Sequence, residues 1–339
     1  MYNINTFQEK FRKIKGKIIA IVYIFEGDTS LGFEHFYIWK SNVITKWMTA
    51  VQELSCLPLI LDVRTFIDKA INNTLPHIDY VLNLNTGIYS LSTMALVPGM
   101  CSAMDVPCIP CNAVSIVTGE DKLLSNHIAN SIGIKVPKTL SKRDNTGIFR
   151  PYNLGNSLGV HRGAPSEDAT GIYQEFIEGY EITTPVIYNA LEEKMEVMPT
   201  VAFIPLDNNP EWYYSEDDKK NQKGYSFKIV SLNDDLIKKY LELIDALSVH
   251  TFCRIDARIK CENKNLILNT DNISATLKNT YFIEINVMPT IRDNNSFQYS
   301  FNSIEQSSSI YECIRLQEKI NDTINLNSFL LASSMMSFL

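Results

Sequence analysis

Two short segments in the last third of the chain carry charged and amide side chains at alternate positions. They read Arg254-Ile255-Asp256 and Glu284-Ile285-Asn286. In a strand, residues two apart point to one face, so Arg254 lies beside Asp256 and Glu284 beside Asn286. If the strands are neighbours, two carboxylates and an amide adjoin a guanidinium, a set that suits Mg²⁺ held together with nucleotide phosphates. A buried ion pair between Arg254 and Glu284 is the alternative.

A glycine-bearing turn earlier in the chain could bind phosphate. Phe149-Arg150-Pro151 places a cation on an expected strand, and the following turn contains Gly155-Asn156-Ser157 and Gly159. Glycines permit positive φ and close approach of the backbone, so successive N–H groups can surround phosphate oxygens. A hairpin without a ligand is the alternative, since the sequence has neither the Walker nor the dinucleotide-binding spacing.

The segment at residues 173–181 could bind a nucleoside. It reads Tyr-Gln-Glu-Phe-Ile-Glu-Gly-Tyr-Glu, which predicts a strand, a turn and the start of a second strand. The backbone of such a strand could offer one donor and one acceptor to an adenine edge, while Glu181 could accept from ribose hydroxyls. A solvated acidic turn is the alternative.

The first third of the chain must position part of any such site, and its apolar strands alternate with helical segments. We expect strands at residues 18–25, 59–63, 78–84 and 107–110, and helices at 44–54, 64–72 and 92–104, the last broken near Pro98. This βαβ series predicts a mostly parallel sheet. Residues 17–25 could also be the apolar part of a signal peptide, but the run is short and lacks a small-residue cleavage site, which favours a buried strand.

Later elements follow a different pattern, with a helix at 121–132 closed by Gly133 and then closely spaced strands. These strands are expected at residues 148–151, 173–177, 181–189, 195–204 and 227–231. An amphipathic helix at 233–249, with Asn233 as its N-cap, precedes extended segments at 251–260 and 281–287 and a final helix at 310–331. The polar run at 215–224 is predicted to be a mobile loop.

Composition limits the class of protein. A chain of 339 residues suggests two or three domains, and its net charge of −7 disfavours nucleic acid or an anionic membrane as a partner. We find no apolar run of the ~20 residues that a transmembrane helix needs. Seven scattered cysteines indicate reduced thiols in a cytoplasmic protein. Cys108 and Cys111 have a zinc-like spacing, but flanking prolines favour a short buried strand.

In order, these motifs resemble the ATP-grasp superfamily, and within it the D-alanine-D-alanine ligase branch. The resemblance runs from about residue 112 to residue 289, and it includes Gly119-Glu120-Asp121-Lys122 and a "GIPVP"-type strand start at residues 133–137. It implies ATP contacts from Lys122, Arg150, Asn156, Ser157, Glu175, Ile177 and Glu181. It also implies that Arg254 stabilises the acyl phosphate and the tetrahedral intermediate. The implied ligands of Mg²⁺, or of Mn²⁺ in its place, are Asp256, Glu284 and Asn286.

The run at 215–224 is expected to close over the phosphates as a lid, with Lys219 or Lys220 contributing. A lid of this kind would exclude water and protect an acyl phosphate from hydrolysis.

Several positions depart from the family pattern, and two of the departures concern the substrates. The family's "HGxxGEDG" segment is replaced by Leu-Asn-Thr-Gly-Ile-Tyr-Ser at residues 84–90, and Thr290 stands where the family has a glycine. Arg150 stands where the family usually has lysine. We therefore expect rebuilt substrate pockets and a poor D-alanine-D-alanine ligase. Candidate substrate-binding residues are Glu34 for a donor ammonium, and Arg292 and Asn295 for the acceptor; a surface position is the alternative for Arg292.

The sequence thus predicts an α/β protein, α+β in its C-terminal part, with a three-domain ATP-grasp architecture. The domains are an N-terminal parallel βαβ domain at 1–113, a central ATP-grasp subdomain at 114–179, and a C-terminal magnesium-binding domain at 180–339. The expected activity is ATP-dependent amide formation between amino acids or similar substrates through an acyl phosphate, releasing ADP and phosphate, in secondary metabolism.

The expected partners are a small-molecule carboxylate and amine, without nucleic acid or membrane, in a protein that could form a homodimer. Three alternatives remain open for the activity. They are a D-alanine-D-alanine ligase of cell-wall synthesis, a catalytically inactive nucleotide-binding protein, and a kinase that phosphorylates a carboxylate.

Overall fold

A four-stranded parallel sheet contains the first strands of the chain. Its strands are β1 (Ile18–Tyr23), β2 (Leu57–Asp62), β3 (Tyr80–Leu84) and β4 (Cys108–Ile109), in the order β2-β1-β3-β4. The associated helices are α1 (Ile4–Ile14), α2 (Ser41–Glu53), α3 (Val63–Ile71), α4 (Leu91–Met94) and α5 (Leu96–Ala103). The parallel βαβ prediction is confirmed.

The computed structural model describes residues 4–25, 41–87, 91–141, 145–152, 154–155, 157–207, 209–221, 223–261, 273–291, 294–321 and 324–339, and only the backbone at 216, 219 and 220.

Two short helices lead from this sheet to a small antiparallel one. They are α6 (Ala113–Glu120) and α7 (Lys122–Ser131), and Asp121 separates them. The Asp121 carboxylate accepts hydrogen bonds from the backbone N–H groups of Leu123 and Leu124, so it caps the second helix. Lys122 therefore stands at the first position of α7. The small sheet has the order β6-β5-β7 and comprises β5 (Ile148–Pro151), β6 (His161–Arg162) and β7 (Gly171–Gln174).

A seven-stranded sheet makes up most of the second half. Its order is β13-β11-β10-β8-β12-β14, with β9 paired to β8, and every pairing is antiparallel except β11 with β13. The strands are β8 (Gly179–Asn189), β9 (Lys194–Val197), β10 (Thr200–Pro205), β11 (Tyr225–Leu232), β12 (Phe252–Lys260), β13 (Ser274–Ala275) and β14 (Thr280–Asn286). The remaining helices are α8 (Glu216–Asn221), α9 (Asp234–Ala246), α10 (Ser296–Asn302), α11 (Ser309–Ile320) and α12 (Leu326–Met336).

Helix α9 covers one face of the large sheet. Asn233 caps this helix, as predicted, and its buried residues Leu236 and Leu243 share one apolar core with Ile182 of β8 and Ile255 of β12. Because side chains alternate along a strand, the residues between these apolar ones point to the other face. The polar side chains Thr183 and Asp256 lie on that opposite face.

Helix α12 returns to the first sheet. All of its residues are buried, and Phe329 shares a core with Phe7 of α1 and Trp47 of α2. At its start, Asn325 Nδ2 donates to Glu53 Oε2 at 2.8 Å across 272 residues of sequence. Among the helices that the structure describes, none combines the length and apolarity that crossing a bilayer requires.

Two predicted elements are interrupted close to a proline, and the missing N–H of proline explains both interruptions. The break predicted near Pro98 occurs at Ala95, because Pro98 occupies the first turn of α5, where its missing N–H removes no helical hydrogen bond. The single strand predicted at residues 195–204 is instead β9 and β10. It is interrupted at Met198 and Pro199, since proline cannot donate to a strand ladder.

Two further predictions were wrong because local capping was overlooked. The final helix is two helices, since Asn325 and Ser328 form a capping box that starts α12. The predicted loop at 215–224 contains α8, which is started by a reciprocal pair: Asp218 N donates to Ser215 Oγ at 3.2 Å, and Ser215 N donates to Asp218 Oδ2 at 3.1 Å. Helices α1, α6 and α10 were not predicted.

Candidate active site

The two strands that carry the polar side chains are neighbours, as the sequence predicted. In the antiparallel pairing of β12 with β14, Arg254 lies opposite Asn286 and Asp256 lies opposite Glu284. All four residues therefore belong to the face that α9 leaves open. On the other side of β12, Thr183 of β8 lies opposite Asp256.

Asp256 is the centre of this face. Its Oδ1 accepts from Arg254 Nε at 2.9 Å and from Thr183 Oγ1 at 2.6 Å. Its Oδ2 accepts from Arg254 Nη2 at 2.7 Å and from Asn286 Nδ2 at 2.8 Å. Burial disfavours the charge on Arg254, but Asp256 nevertheless raises the pKa of the guanidinium above its ordinary value. The ion pair that Arg254 forms here is thus with Asp256, on its own strand, and the expected neighbour Glu284 has other cations close to it.

Two nearly buried cations approach Glu284. Lys122 Nζ lies 3.4 Å from Glu284 Oε2, and Arg150 Nη1 lies 4.0 Å from the same oxygen. Lys122 Nζ also donates to the carbonyl of Leu154 in the glycine-bearing turn, at 2.9 Å. The structure therefore brings Lys122, Arg150 and Glu284 together from α7, β5 and β14.

A buried hydrogen-bond network holds Arg150 in place. Its Nη1 donates to the carbonyl of Ile283 at 2.8 Å, and its Nη2 donates to Gln174 Oε1 at 2.6 Å. Gln174 Nε2 in turn donates to Asn126 Oδ1 at 3.2 Å and to the carbonyl of Pro137 at 3.0 Å. Burial lowers the pKa of Arg150, and Glu284 and Glu181 oppose this effect. The result is a cation whose position is fixed before any ligand binds.

Glu120, the last residue of α6, lies behind this cluster. Its Oε1 accepts from the backbone N–H of Val287 at 3.0 Å, just after Asn286. Burial raises the pKa of Glu120 to about 7; Lys122 lowers it and Glu284 raises it further. Glu120 thus ties the end of α6 to the segment that leaves β14.

The predicted nucleoside segment forms the connection between β7 and β8. The backbone N–H of Glu175 donates to the Lys138 carbonyl at 2.8 Å, and Lys138 N donates to Glu175 Oε1 at 3.0 Å. Ile177 is buried, and its carbonyl accepts from Arg258 Nε at 2.7 Å. Glu181, on β8, forms an ion pair with Arg258 Nη1 at 3.3 Å.

The glycine-bearing turn reaches toward the segment before α8. Ser157 has a positive φ of 60°, and its Oγ donates to the carbonyl of Tyr214 at 2.8 Å. Tyr214 N donates to Glu181 Oε2 at 3.2 Å. Ser157 and Glu181 are thereby connected through one residue, although Ser157 lies between two strands of the small sheet and Glu181 belongs to the large one.

The other predicted site residues are only partly covered by the description. Glu34, Asn156 and Arg292 lie outside the described residues, and Lys219 is in α8 with only its backbone described. Asn295 is the N-cap of α10: its Oδ1 accepts from Gln298 N at 3.0 Å, and its Nδ2 donates to the Thr290 carbonyl at 2.7 Å. Its role in binding a substrate stays a prediction.

Four residues of this site were not singled out from the sequence as site residues: Thr183, Gln174, Glu120 and Arg258. Arg258 carried a usable signal, because it continues the alternation of Arg254 and Asp256 by one step; the structure places it opposite Glu181. Thr183 carried no such signal in the sequence, since threonine is an ordinary strand residue.

Within the described part of the chain, no cluster of three or more His, Cys, Asp or Glu side chains could hold a metal ion.

Comparisons with known proteins identify the fold. No protein-family model matches the chain, and no curated protein matches its sequence. Among solved structures, D-alanine–D-alanine ligase from Bacillus anthracis complexed with ATP is 14% identical, with a TM-score of 0.57, over 91% of this chain and 99% of that one. VanG D-Ala:D-Ser ligase from Enterococcus faecalis is 14% identical, with a TM-score of 0.58, over 95% of this chain and 100% of that one. The chain has the ATP-grasp fold of these ligases, which confirms the predicted fold class.

Proposed function

We propose that this chain is an ATP-dependent ligase that joins a carboxylate to an amine. The observation that carries the proposal is the convergence of Asp256, Glu284 and Asn286 with the cations Lys122 and Arg150 on one open sheet face. Buried, paired cations beside a row of hard oxygen ligands suit a triphosphate with its metal. The fold shared with D-alanine–D-alanine ligases supports this assignment.

The proposed reaction has two steps. A carboxylate oxygen of the first substrate attacks the γ-phosphorus of ATP, and the bond to the leaving oxygen of ADP breaks. The product is an acyl phosphate. The amine nitrogen of the second substrate then attacks the acyl carbon, loses a proton, and inorganic phosphate leaves. No side chain of the protein forms a covalent bond in this sequence.

The residues of the site divide this work among them. Lys122 and Arg150 bind phosphate oxygens and are held in place by their contacts to Leu154, Ile283 and Gln174. Arg254 stabilises the negative charge that develops on the acyl phosphate and at the acyl carbon. Fixed cations of this kind need no reorganisation during the reaction, which is the basis of their catalytic effect.

The residues present fit a divalent cation. Asp256 and Glu284 lie opposite each other, and Asn286 donates to Asp256. Mg²⁺, or Mn²⁺ in its place, would be bound by these three residues together with nucleotide oxygens, and when bound it supplies positive charge that offsets the triphosphate. Asp256 would exchange part of its present contact with Arg254 for the metal, which would release Arg254 toward the substrate.

We assign the reaction to secondary metabolism in the cytoplasm, with amino acids or amino-acid-like compounds as substrates. The segments at residues 84–90 and 288–292, which depart from the D-alanine-D-alanine ligase pattern, support this choice. The proposal includes domains at 1–113, 114–179 and 180–339, with ATP between the last two, and allows a homodimer. It also includes closure of residues 215–224 over the phosphates.

A screen for ADP release tests the function. The purified protein is incubated with ATP, Mg²⁺ and pairs of amino acids, including D-alanine alone, and products are identified by mass spectrometry. We expect ADP release that depends on both substrates and a product with an amide bond. Glu284→Gln should abolish it, whereas Glu242→Gln, the same change on the exposed surface of α9, should not. ADP release without any need for an amine would instead indicate a carboxylate kinase, and no release with any pair would contradict the proposal.

A further inference from the structure

Arg258 is a buried arginine on the open face of the large sheet, two residues after Asp256 on β12. Only 4% of its surface is exposed. Its Nε donates to the Ile177 carbonyl at 2.7 Å, and its Nη2 donates to the carbonyls of Gly179 at 2.8 Å and Trp212 at 3.0 Å. A guanidinium has its donors in a rigid planar fork, so the contacts to Ile177 and Gly179 fix the turn between β7 and β8 in one conformation, and the contact to Trp212 ties this turn to the segment before α8.

The same guanidinium holds Glu181. Arg258 Nη1 lies 3.3 Å from Glu181 Oε2, and the backbone N–H of Tyr214 donates to the same oxygen at 3.2 Å. A glutamate side chain has several rotatable bonds, and two donors on one oxygen restrict its orientation. The protein itself therefore fixes the orientation of the Glu181 carboxylate.

An aromatic ring extends this arrangement to the small sheet. The guanidinium carbon of Arg258 lies 4.8 Å from the centre of the Phe176 ring, and that of Arg162, on β6, lies 3.9 Å from the same centre. Arg162 forms an ion pair with Glu211 at 3.8 Å. The two arginines contact the same ring, but only Arg258 has a hydrogen bond to Glu181 among the described contacts.

We infer that Arg258 is a positioning residue for the ribose of the bound nucleotide and that it acts through Glu181. The inference rests on the proposed function, together with the expectation from the sequence that Glu181 accepts from a ribose hydroxyl. Arg258 would not touch the nucleotide itself, because its donors are directed at the carbonyls of Ile177, Gly179 and Trp212 and at Glu181. Its effect would be to keep the carboxylate where one hydroxyl of the ribose can donate to it.

The test measures discrimination between riboses, which a residue needed only for folding would not change. Calorimetric titrations with Mg²⁺ compare ATP with 2′-deoxy-ATP and 3′-deoxy-ATP, and need no turnover. A hydrogen bond to a charged group contributes about 1.5–3 kcal/mol, so the wild type should bind ATP about 10- to 100-fold tighter than one of the deoxy analogues. Arg258→Met should reduce this ratio to about threefold or less. In a Glu181→Gln background, Arg258→Met should reduce it no further, because the two residues act as a unit.

Arg162→Met is the matched control, because it removes the other guanidinium from the Phe176 ring and should keep the wild-type ratio. Circular dichroism and thermal melting establish which variants are folded. If Arg258→Met does not fold, Arg258→Lys replaces it; lysine keeps the charge but lacks the fork, so the ratio should still fall. An unchanged ratio in either folded variant, or a wild type that does not discriminate, overturns the inference alone. A wild type that binds no ATP overturns the proposed function and the inference with it.

Discussion

Replacing Asp256 by asparagine should damage both the stability and the activity of this protein. Asp256 accepts four hydrogen bonds, two of them from Arg254. Asparagine has only one acceptor oxygen, so its amide group must face either Arg254 Nη2 and Asn286 or Arg254 Nε and Thr183. In both orientations a donor meets a donor, and Arg254 loses its counter-ion.

The size of the effect follows from burial. Breaking a fully buried ion pair by removing one charge costs about 3–5 kcal/mol. The side chains of Arg254 and Asp256 are 19% and 13% exposed, so solvent screening reduces the expected loss to about 2–3 kcal/mol. The melting temperature should then fall by about 4–8 °C. Because the substitution also removes a proposed metal ligand and the partner of Arg254, ADP release should fall at least about 100-fold.

Two assays on the same samples separate these consequences. Thermal melting followed by circular dichroism measures stability, and an enzyme-coupled assay measures ADP release well below the melting temperature. Asp245→Asn, the same chemical change at an exposed position of α9, is the control and should match the wild type in both. If Asp256→Asn melts and releases ADP like the wild type, the role assigned to this carboxylate is wrong.

Two further substitutions test the group formed by Lys122, Arg150 and Glu284 and the carboxylate of Glu120 behind it. Glu120→Gln should stabilise the protein above neutral pH. The pKa of Glu120 is raised from 4.5 to about 7, so between these pH values the folded state binds more protons than the unfolded state. The wild type therefore loses stability as the pH rises through this window, and glutamine, which does not ionise, avoids that loss. A pKa shift of this size corresponds to about 3 kcal/mol of stability, which partial exposure reduces to about 1–2 kcal/mol. Urea unfolding at pH 5 and pH 8 measures the free energy of unfolding of wild type and variant. If these two free energies differ by the same amount at both pH values, the prediction is wrong. Lys122→Met should weaken ATP binding about 10- to 100-fold, because it removes a buried cation. Calorimetry measures this affinity, with Lys238→Met on the exposed surface of α9 as the control. Equal ATP affinity in the two variants would show that Lys122 does not bind phosphate.

The common face of Arg254, Asp256, Glu284 and Asn286 could be predicted because strand alternation is a strict geometric rule. Only the pairing of the two strands had to be assumed. The partner of Arg254 could not be predicted in the same way. Two carboxylates were within reach of it, and the choice of Asp256 depends on the additional hydrogen bonds that Asp256 receives across the sheet.

The residues that sequence reasoning missed share a physical property. Thr183, Gln174 and Glu120 matter through partners that are distant in sequence: Thr183 bonds to a residue 73 positions away, and Gln174 to one 48 positions away. A single polar residue in an apolar strand does not reveal which partner satisfies it. The helix α8 was missed for a different reason, because its polar composition resembles that of a loop and only the Ser215 and Asp218 caps distinguish the two.

The packing of α12 on the first sheet has a consequence for how the protein is made. The residues of α12 that complete the core around Trp47 are synthesised long after it, as the 272-residue separation of Glu53 and Asn325 indicates. At about 5–20 residues per second, that interval lasts about 14–54 s. Throughout it, Trp47 and Phe7 lack the partner that covers them in the finished molecule. The first sheet therefore completes its core late in synthesis, and the nascent chain exposes an apolar surface on which chaperones can act.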